Sequence, residues 1–246
     1  MQINQYIQKG KKQLAILIDP DKEKSETKLL QLIHKVNILN PSFIFIGGST
    51  VDVDDFKQCI KIIKNNSSIP LIIFPGSHLQ IDKNADAILF LSLISGRNPD
   101  FLISHQIEAA PIIKSSNLKA IPTAYMLIDG GKTSSVAYVS QTSPIPSDQY
   151  VIAKNTAMAG ELLGMQTIFM DAGSGAITPV PPKMIQAVAS STSLPLIIGG
   201  GLTSLEDINK AYNAGADVVV IGNKIETDIN FLLDLKNINF VNTTNH

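Results

Sequence analysis

Eight short apolar runs punctuate the chain, at residues 14–18, 43–46, 71–74, 87–91, 118–126, 167–170, 196–198 and 218–221. Each is too short for a helix and largely continuous in apolar character, and most run into Gly, Asp or Pro. That is how strands buried on both faces read in a parallel sheet. Helical spacing fills the intervals. Leu29, Leu32, Ile33 and Val36 step along one face, and Leu205, Ile208 and Tyr212 do the same later. Ser25, and Thr203 or Ser204, stand where helix N-caps belong. Eight strands alternating with helices over 246 residues predict one domain, residues 1–246, folded as a (β/α)8 TIM barrel. A doubly wound open sheet is the alternative that strand counting leaves open. The interval 75–86 is short for a full helix, so the third barrel helix is expected to be reduced or replaced. The Ser/Thr/Pro-rich stretch 133–147 reads as a long connection between the fifth and sixth strands.

Composition narrows the function classes. Twenty basic against 21 acidic residues, with no Lys/Arg block, leave no electrostatic footprint for nucleic acid. The single cysteine, Cys59, excludes a disulfide framework or a multi-cysteine metal site, and reads as a small apolar side chain on a helix. The apolar run at 87–94 reaches about half of the roughly 20 residues a spanning helix needs. The polar residues 1–12 lack the apolar core of a signal peptide. A cytoplasmic protein that touches membrane at most peripherally is expected.

Barrel chemistry belongs at the C-terminal ends of the strands. The sixth run leads into Asp171-Ala172-Gly173-Ser174-Gly175, the seventh into Gly199-Gly200-Gly201, and the eighth into Gly222-Asn223-Lys224. Glycines let backbone N–H groups approach an anion, and the helix N-termini that follow add favourable dipole ends. Three such loops predict a phosphate cradle, against the plainer reading of tight strand-to-helix turns. Asp171 should project into the mouth beside them, to orient a substrate hydroxyl or accept its proton, or else to hold the turn. Across the mouth, Asp19-Pro20-Asp21 and Gly47-Gly48-Ser49-Thr50 offer hard oxygen ligands suited to Mg²⁺. His78 and His105 have no zinc-ligand spacing, and Arg97 is placed for either a diphosphate or a salt bridge at the rim.

These segments occur in one order: residues 17–22, 47–50, 74–76, 92–99, 170–176, 199–201 and 222–223. Together they resemble the geranylgeranylglyceryl phosphate synthases, which include the PcrB-like prenyltransferases, and look most like the second subgroup, found in some archaea and Bacteroidetes. The resemblance implies a transferase joining sn-glycerol 1-phosphate to a polyprenyl diphosphate, usually geranylgeranyl, through an ether bond, with Mg²⁺ as cofactor. It also implies a homo-oligomer, dimer or hexamer. Carried over by position, it makes Asp19 and Ser49 the metal ligands and Asp171 the catalytic carboxylate. Phe169, Met170, Asp171, Ala172, Gly173, Ser174, Gly175, Gly199, Gly200, Gly201, Gly222 and Asn223 become the glycerol-phosphate site. Phe74, Leu93 and Tyr125 are candidates for an apolar groove, or else for core. Two departures stand out. The family's Tyr-Leu-Glu reads Phe169-Met170-Asp171 here, and a lysine carried by some members is replaced by Leu17, leaving backbone N–H groups or a cation such as Lys224 to meet the phosphate. Another phosphate-binding barrel of the sugar-phosphate isomerase or aldolase type remains an alternative, as does a barrel that binds phosphate or prenyl groups without catalysis.

Overall fold

All eight runs form strands. The computed structural model describes residues 6–23, 25–48 and 51–241. The strands are β1 (Gln13–Ile18), β2 (Phe43–Ile46), β3 (Leu71–Ile73), β4 (Ala87–Leu93), β5 (Lys119–Leu127), β6 (Thr167–Asp171), β7 (Leu196–Gly199) and β8 (Val218–Ile221). They pair in parallel in chain order, and β8 returns to β1, so the sheet is a closed barrel and not an open doubly wound sheet.

Successive side chains of a strand point to opposite faces, so each run feeds two layers. Phe43, Phe45, Ile72, Leu89, Tyr125, Phe169, Ile197 and Val220 fill the barrel interior. Ile44, Ile46, Leu71, Ile73, Ile168, Met170, Leu196 and Ile198 pack outward with the helices. This double burial is why the runs read as continuous and not as alternating. On the outside, α1 (Glu26–Leu39) buries Leu29, Leu32, Ile33, Val36 and Leu39, and α2 (Val53–Asn66) buries Phe56, Cys59, Ile60 and Ile63. Burial pushes the Cys59 thiol up to about 12, which keeps it protonated and inert. Ser25 takes the extended backbone of an N-cap, but its hydroxyl caps nothing, whereas the Asp52 carboxylate accepts from the N–H groups of Asp54 and Asp55.

After β4, a single π-helical turn at Asp100–Ser104 leads into α3 (His105–Lys114). The chain continues through α4 (Ser135–Ser140), α5 (Tyr150–Leu162), α6 (Pro182–Ala189), α7 (Leu205–Asn213), α8 (Asn223–Thr227) and α9 (Phe231–Asp234). Ser204 caps α7 by accepting from the Asp207 N–H at 3.1 Å. The 133–147 connection carries α4, capped by Ser134. No helix joins β3 to β4: residues 74–86 are irregular chain, as the short interval predicts.

Two carboxylates stitch the N-terminal end of the barrel. Asp86 accepts from the Leu71 N–H at 2.8 Å and from the Lys64 ammonium at 2.9 Å. Asp217 accepts from the Leu196 N–H at 2.8 Å and the Gly10 N–H at 2.6 Å. Among the described residues, no helix is long and apolar enough to cross a membrane.

Candidate active site

The C-terminal strand ends surround a cavity of approximately 310 Å³. Its floor is aromatic. Phe74 stacks on Phe169 with ring centres 4.8 Å apart, and the Tyr125 ring meets Phe169 edge-on at 5.5 Å. These rings alternate inward from their strands, so the groove candidates Phe74, Leu93 and Tyr125 are both core and cavity wall.

Asp171 ends β6 on the inward face, in register with Leu127 on one side and Gly199 on the other. It is 7% exposed. The Tyr125 hydroxyl donates to its Oδ2 at 2.6 Å, and the Gly173 N–H donates to its Oδ1 at 2.8 Å. Burial raises its pKa, against the lowering effect of both hydrogen bonds. One oxygen thus holds the turn, as the plainer reading expected, while the other is held by Tyr125 at the cavity wall. Tyr125 itself is pushed well above the ordinary tyrosine value, first by burial and then by the Asp171 charge, so it remains the proton donor of the pair.

The three Gly-rich loops converge beside this carboxylate. Asn223 Oδ1 accepts from the Gly175 N–H at 2.9 Å and from the Ser174 hydroxyl at 3.1 Å, which ties the loop after β6 to the start of α8. Gly200 has φ +80°, and a methyl group there would lie 2.7 Å from Asp171 Oδ1 and from the Gly173 nitrogen. Among the described residues, the N–H groups of Ser174, Gly200 and Gly201 have no protein acceptor. They are free to meet an anion. One of the three expected helix N-termini stands away from the cradle. α6 begins at Pro182, well beyond the loop, after the extended Pro181, whereas α7, capped by Ser204 next to Thr203 on the cavity wall, and the short α8 start at the mouth.

Phe169, Asp171, Ser174, Gly175, Gly199, Gly200, Gly201, Gly222 and Asn223 all line the cavity. Three expected contacts do not. Met170 is fully buried and packs outward toward the helices, because the strand period of two turns it away from the mouth. Ala172 packs in that same outer layer. Gly173 serves through its N–H to Asp171 and through its tight turn, where a methyl group would lie 2.5 Å from Ser134 Cβ.

Opposite the cradle, Asp19 follows β1. Its Oδ1 accepts from the Asp21 N–H at 3.1 Å, and its Oδ2 lies 3.9 Å from the Lys22 ammonium, which pairs more closely with Glu226 at 2.9 Å. Burial raises the Asp19 pKa. A methyl group on Gly48 would lie 2.6 Å from Asp19 Oδ1, so the turn after β2 rests on this carboxylate. Ser49, the other expected ligand, lies outside the described residues. Among the described residues no group of three or more His, Cys, Asp or Glu could hold a metal. A desolvated carboxylate with one oxygen free of N–H donors fits Mg²⁺, which takes one or two protein carboxylates and completes its shell from water and phosphate oxygens.

Part of the remaining wall is apolar. Ile81, Ile88, Phe90, Phe101 and Ala109 line a branch between the irregular 74–86 segment and α3. His78 and His105 stand at this branch with ring centres 5.0 Å apart, and His78 Nε2 is 3.1 Å from Glu108. Arg97 fits neither of its expected roles: it is exposed, does not line the cavity, and donates to the Gly96 carbonyl at 2.6 Å. Sequence reasoning missed the Tyr125 hydroxyl as the partner of Asp171, although its inward parity on β5 was available.

A profile of the PcrB family matches residues 6–240. The geranylgeranylglyceryl phosphate synthase of Flavobacterium johnsoniae is 48% identical over 230 residues, covering 94% of both chains. The synthase of the same name from Pyrococcus abyssi is 40% identical, covering 92% of this chain and 89% of its own. Among solved structures, the crystal structure of (S)-3-O-geranylgeranylglyceryl phosphate synthase from Thermoplasma acidophilum, in complex with substrate sn-glycerol-1-phosphate, superposes with a TM-score of 0.86 at 31% identity. That match covers 92% of this chain and 91% of that one.

Proposed function

The chain belongs to the PcrB family, and from that premise we propose that it is a prenyltransferase joining sn-glycerol 1-phosphate to geranylgeranyl diphosphate through an ether bond. One observation carries the reading. A single cavity holds an anion cradle at β6–β8, a half-buried carboxylate at β1 and an apolar branch beside α3. A phosphorylated acceptor, a diphosphate and a hydrocarbon chain each find matching chemistry there.

Glycerol phosphate binds with its phosphate against the free N–H groups of Ser174, Gly200 and Gly201, which favour an anion without a lysine at the Leu17 position. Its far hydroxyl then reaches Asp171. The polyprenyl tail lies along Phe74 and the branch by Ile81 and Phe101, placing its allylic carbon over the aromatic floor. The carbon–oxygen bond to diphosphate breaks, the glycerol oxygen bonds to the allylic carbon, and its proton passes to Asp171, whose raised pKa suits it to receive one. Asp19 and, in this reading, Ser49 would hold Mg²⁺, which would supply charge stabilisation for the departing diphosphate. Lys22 and Lys224 both stand on the cavity wall, Lys22 paired with Glu226 at 2.9 Å and Lys224 with Asp228 at 3.6 Å. The closed aromatic floor limits water, which would otherwise compete for the electrophile. Positioning of the two substrates carries much of the rate.

The reading extends to a cytoplasmic homo-oligomer, dimer or hexamer, that meets membrane only to exchange lipid. Exposed apolar side chains at Val151, Leu162 and Leu163, on and just after α5, support self-association, which light scattering would measure. The function is tested by incubating the protein with labelled glycerol 1-phosphate, Mg²⁺ and geranylgeranyl diphosphate, then extracting with organic solvent. Label in the lipid phase, absent when glycerol 3-phosphate is used, is the expected result. Folded protein that transfers no label to prenyl donors of any length would overturn the reading.

A further inference from the structure

The segment that stands in place of the third barrel helix contains one amide side chain buried to 1% exposure, Gln80. Its surroundings are loops, where a buried amide is costly unless its donors and acceptor are met. They are met by two different strand ends. Nε2 donates to the Gly48 carbonyl at 2.8 Å, and Oε1 accepts from the Gly76 N–H at 2.9 Å. Gln80 therefore clamps the turn after β2 to the turn after β3. Those turns touch already: a methyl group on Gly47 would lie 1.9 Å from the Phe74 carbonyl oxygen. The clamped Gly48 in turn presses on Asp19, with 2.6 Å between its missing methyl position and Oδ1.

A helix would fix this wall by its own ladder of hydrogen bonds. Residues 74–86 offer only scattered turn bonds, such as Gln80 N–H to Ser77 at 3.2 Å and Ala85 N–H to Asp82 at 3.3 Å. The side-chain amide supplies the missing restraint. Resting on the prenyltransferase reading, we infer that Gln80 is a positioning residue for the diphosphate end of the site. It sets the Gly47–Gly48 turn against Asp19 and so fixes where a divalent cation and the diphosphate oxygens are received. Gln80 does not itself line the cavity, and the glycerol-phosphate cradle is built by β6, β7 and β8 on the other side of the mouth.

The test compares Gln80→Met, which keeps length and packing without either hydrogen bond, with Gln80→Glu, which keeps the acceptor for Gly76 but sets a second acceptor against the Gly48 carbonyl. Mn²⁺ binding in the presence of inorganic pyrophosphate is followed by electron paramagnetic resonance, and glycerol 1-phosphate binding by calorimetry. Steady-state KM values are measured for both substrates, and thermal midpoints are recorded. Gln80→Met is expected to weaken Mn²⁺–pyrophosphate binding and raise the KM for the prenyl diphosphate by about tenfold or more, as misplacement of the groups that receive the substrate implies. Glycerol 1-phosphate affinity should be unchanged, and Gln80→Glu should weaken Mn²⁺–pyrophosphate binding at least as much as Gln80→Met, because it buries an unpaired charge against a carbonyl. Equal weakening of both ligands, or wild-type Mn²⁺–pyrophosphate binding in a folded Gln80→Met protein, would overturn the inference. Failure of the prenyltransferase reading looks different: wild-type protein would then form no ether product, whatever the variants do to pyrophosphate binding.

Discussion

Tyr125→Phe isolates a single hydrogen bond. The ring that packs on Phe74 and Phe169 is retained, and only the hydroxyl that donates to Asp171 Oδ2 at 2.6 Å is lost. Both partners are less than a tenth exposed, so replacement of the donor by solvent is limited. A hydrogen bond to a charged group is worth about 2 kcal/mol, and in a domain of this size each kcal/mol moves the thermal midpoint by roughly 2–4 °C, giving a fall of roughly 4–8 °C. The pH dependence separates this cause from a packing defect. The Tyr125 bond favours the ionised carboxylate, so removing it raises the Asp171 pKa further. A raised folded-state pKa means stability that is full below the ordinary carboxylate value of 3.8 and lost as pH rises through the folded value. The deficit of the variant relative to wild type should therefore be small near the ordinary value and grow toward neutral pH. Calorimetric or fluorescence melts of both proteins, run in parallel at pH values spanning about 4 to 8, read it directly. An equal deficit at every pH, or none at neutral pH, would refute the coupling between this pair.

Other outcomes follow from the same geometry. Asp171→Asn keeps an acceptor for Gly173 but cannot ionise, so it should melt no lower than wild type near neutral pH while turnover falls by about 10²–10⁴-fold, checked by label transfer and melts on one preparation. Gly200→Ala forces a methyl group to 2.7 Å from Asp171 Oδ1 at φ +80°, which costs about 1–3 kcal/mol and should raise the KM for glycerol phosphate more than that for the prenyl donor. Chelation of divalent metal, and separately Asp19→Asn, should each abolish product formation with little change in melting, and restoring Mg²⁺ should rescue only the chelated wild type. Product formed after complete chelation would contradict the role assigned to Asp19.

The strands are legible because burial on both faces leaves a continuous apolar run, and the reduced third helix is legible because the interval 75–86 is short for a full one. The location of the site followed from the fold, since strand ends carry the chemistry. Within the site the sequence was less informative, for physical reasons. Met170 belongs to a contiguous motif, but a motif has no parity, and the strand turns that side chain outward. Tyr125 meets Asp171 only because β5 and β6 pair with Tyr125 opposite Phe169, a register that one chain's spacing does not display. Arg97 is a charge whose partners are carbonyls of its own loop, Ile94 and Gly96. The anion cradle depends on which backbone N–H groups are left over after folding, and that subtraction needs coordinates.

The carboxylates that stitch the lower rim reveal a symmetry. β3 opens with Pro70-Leu71-Ile72-Ile73 and β7 with Pro195-Leu196-Ile197-Ile198, while β4 and β8 are each preceded by Ala-Asp, at Ala85-Asp86 and Ala216-Asp217. In both cases the aspartate reaches back to the first N–H of the preceding strand at 2.8 Å. The same device thus recurs half a turn around the barrel, and the two halves match below the mouth. Above it they part. After β7 the chain bends through glycines into α7 and leaves amides without protein acceptors; after β3 it forgoes a helix and leaves an apolar slot. The polarity of the cavity, wet and charged at one end and oily at the other, is a twofold frame finished in two different ways, matched to a reaction whose two substrates are as unlike as a sugar-alcohol phosphate and a lipid.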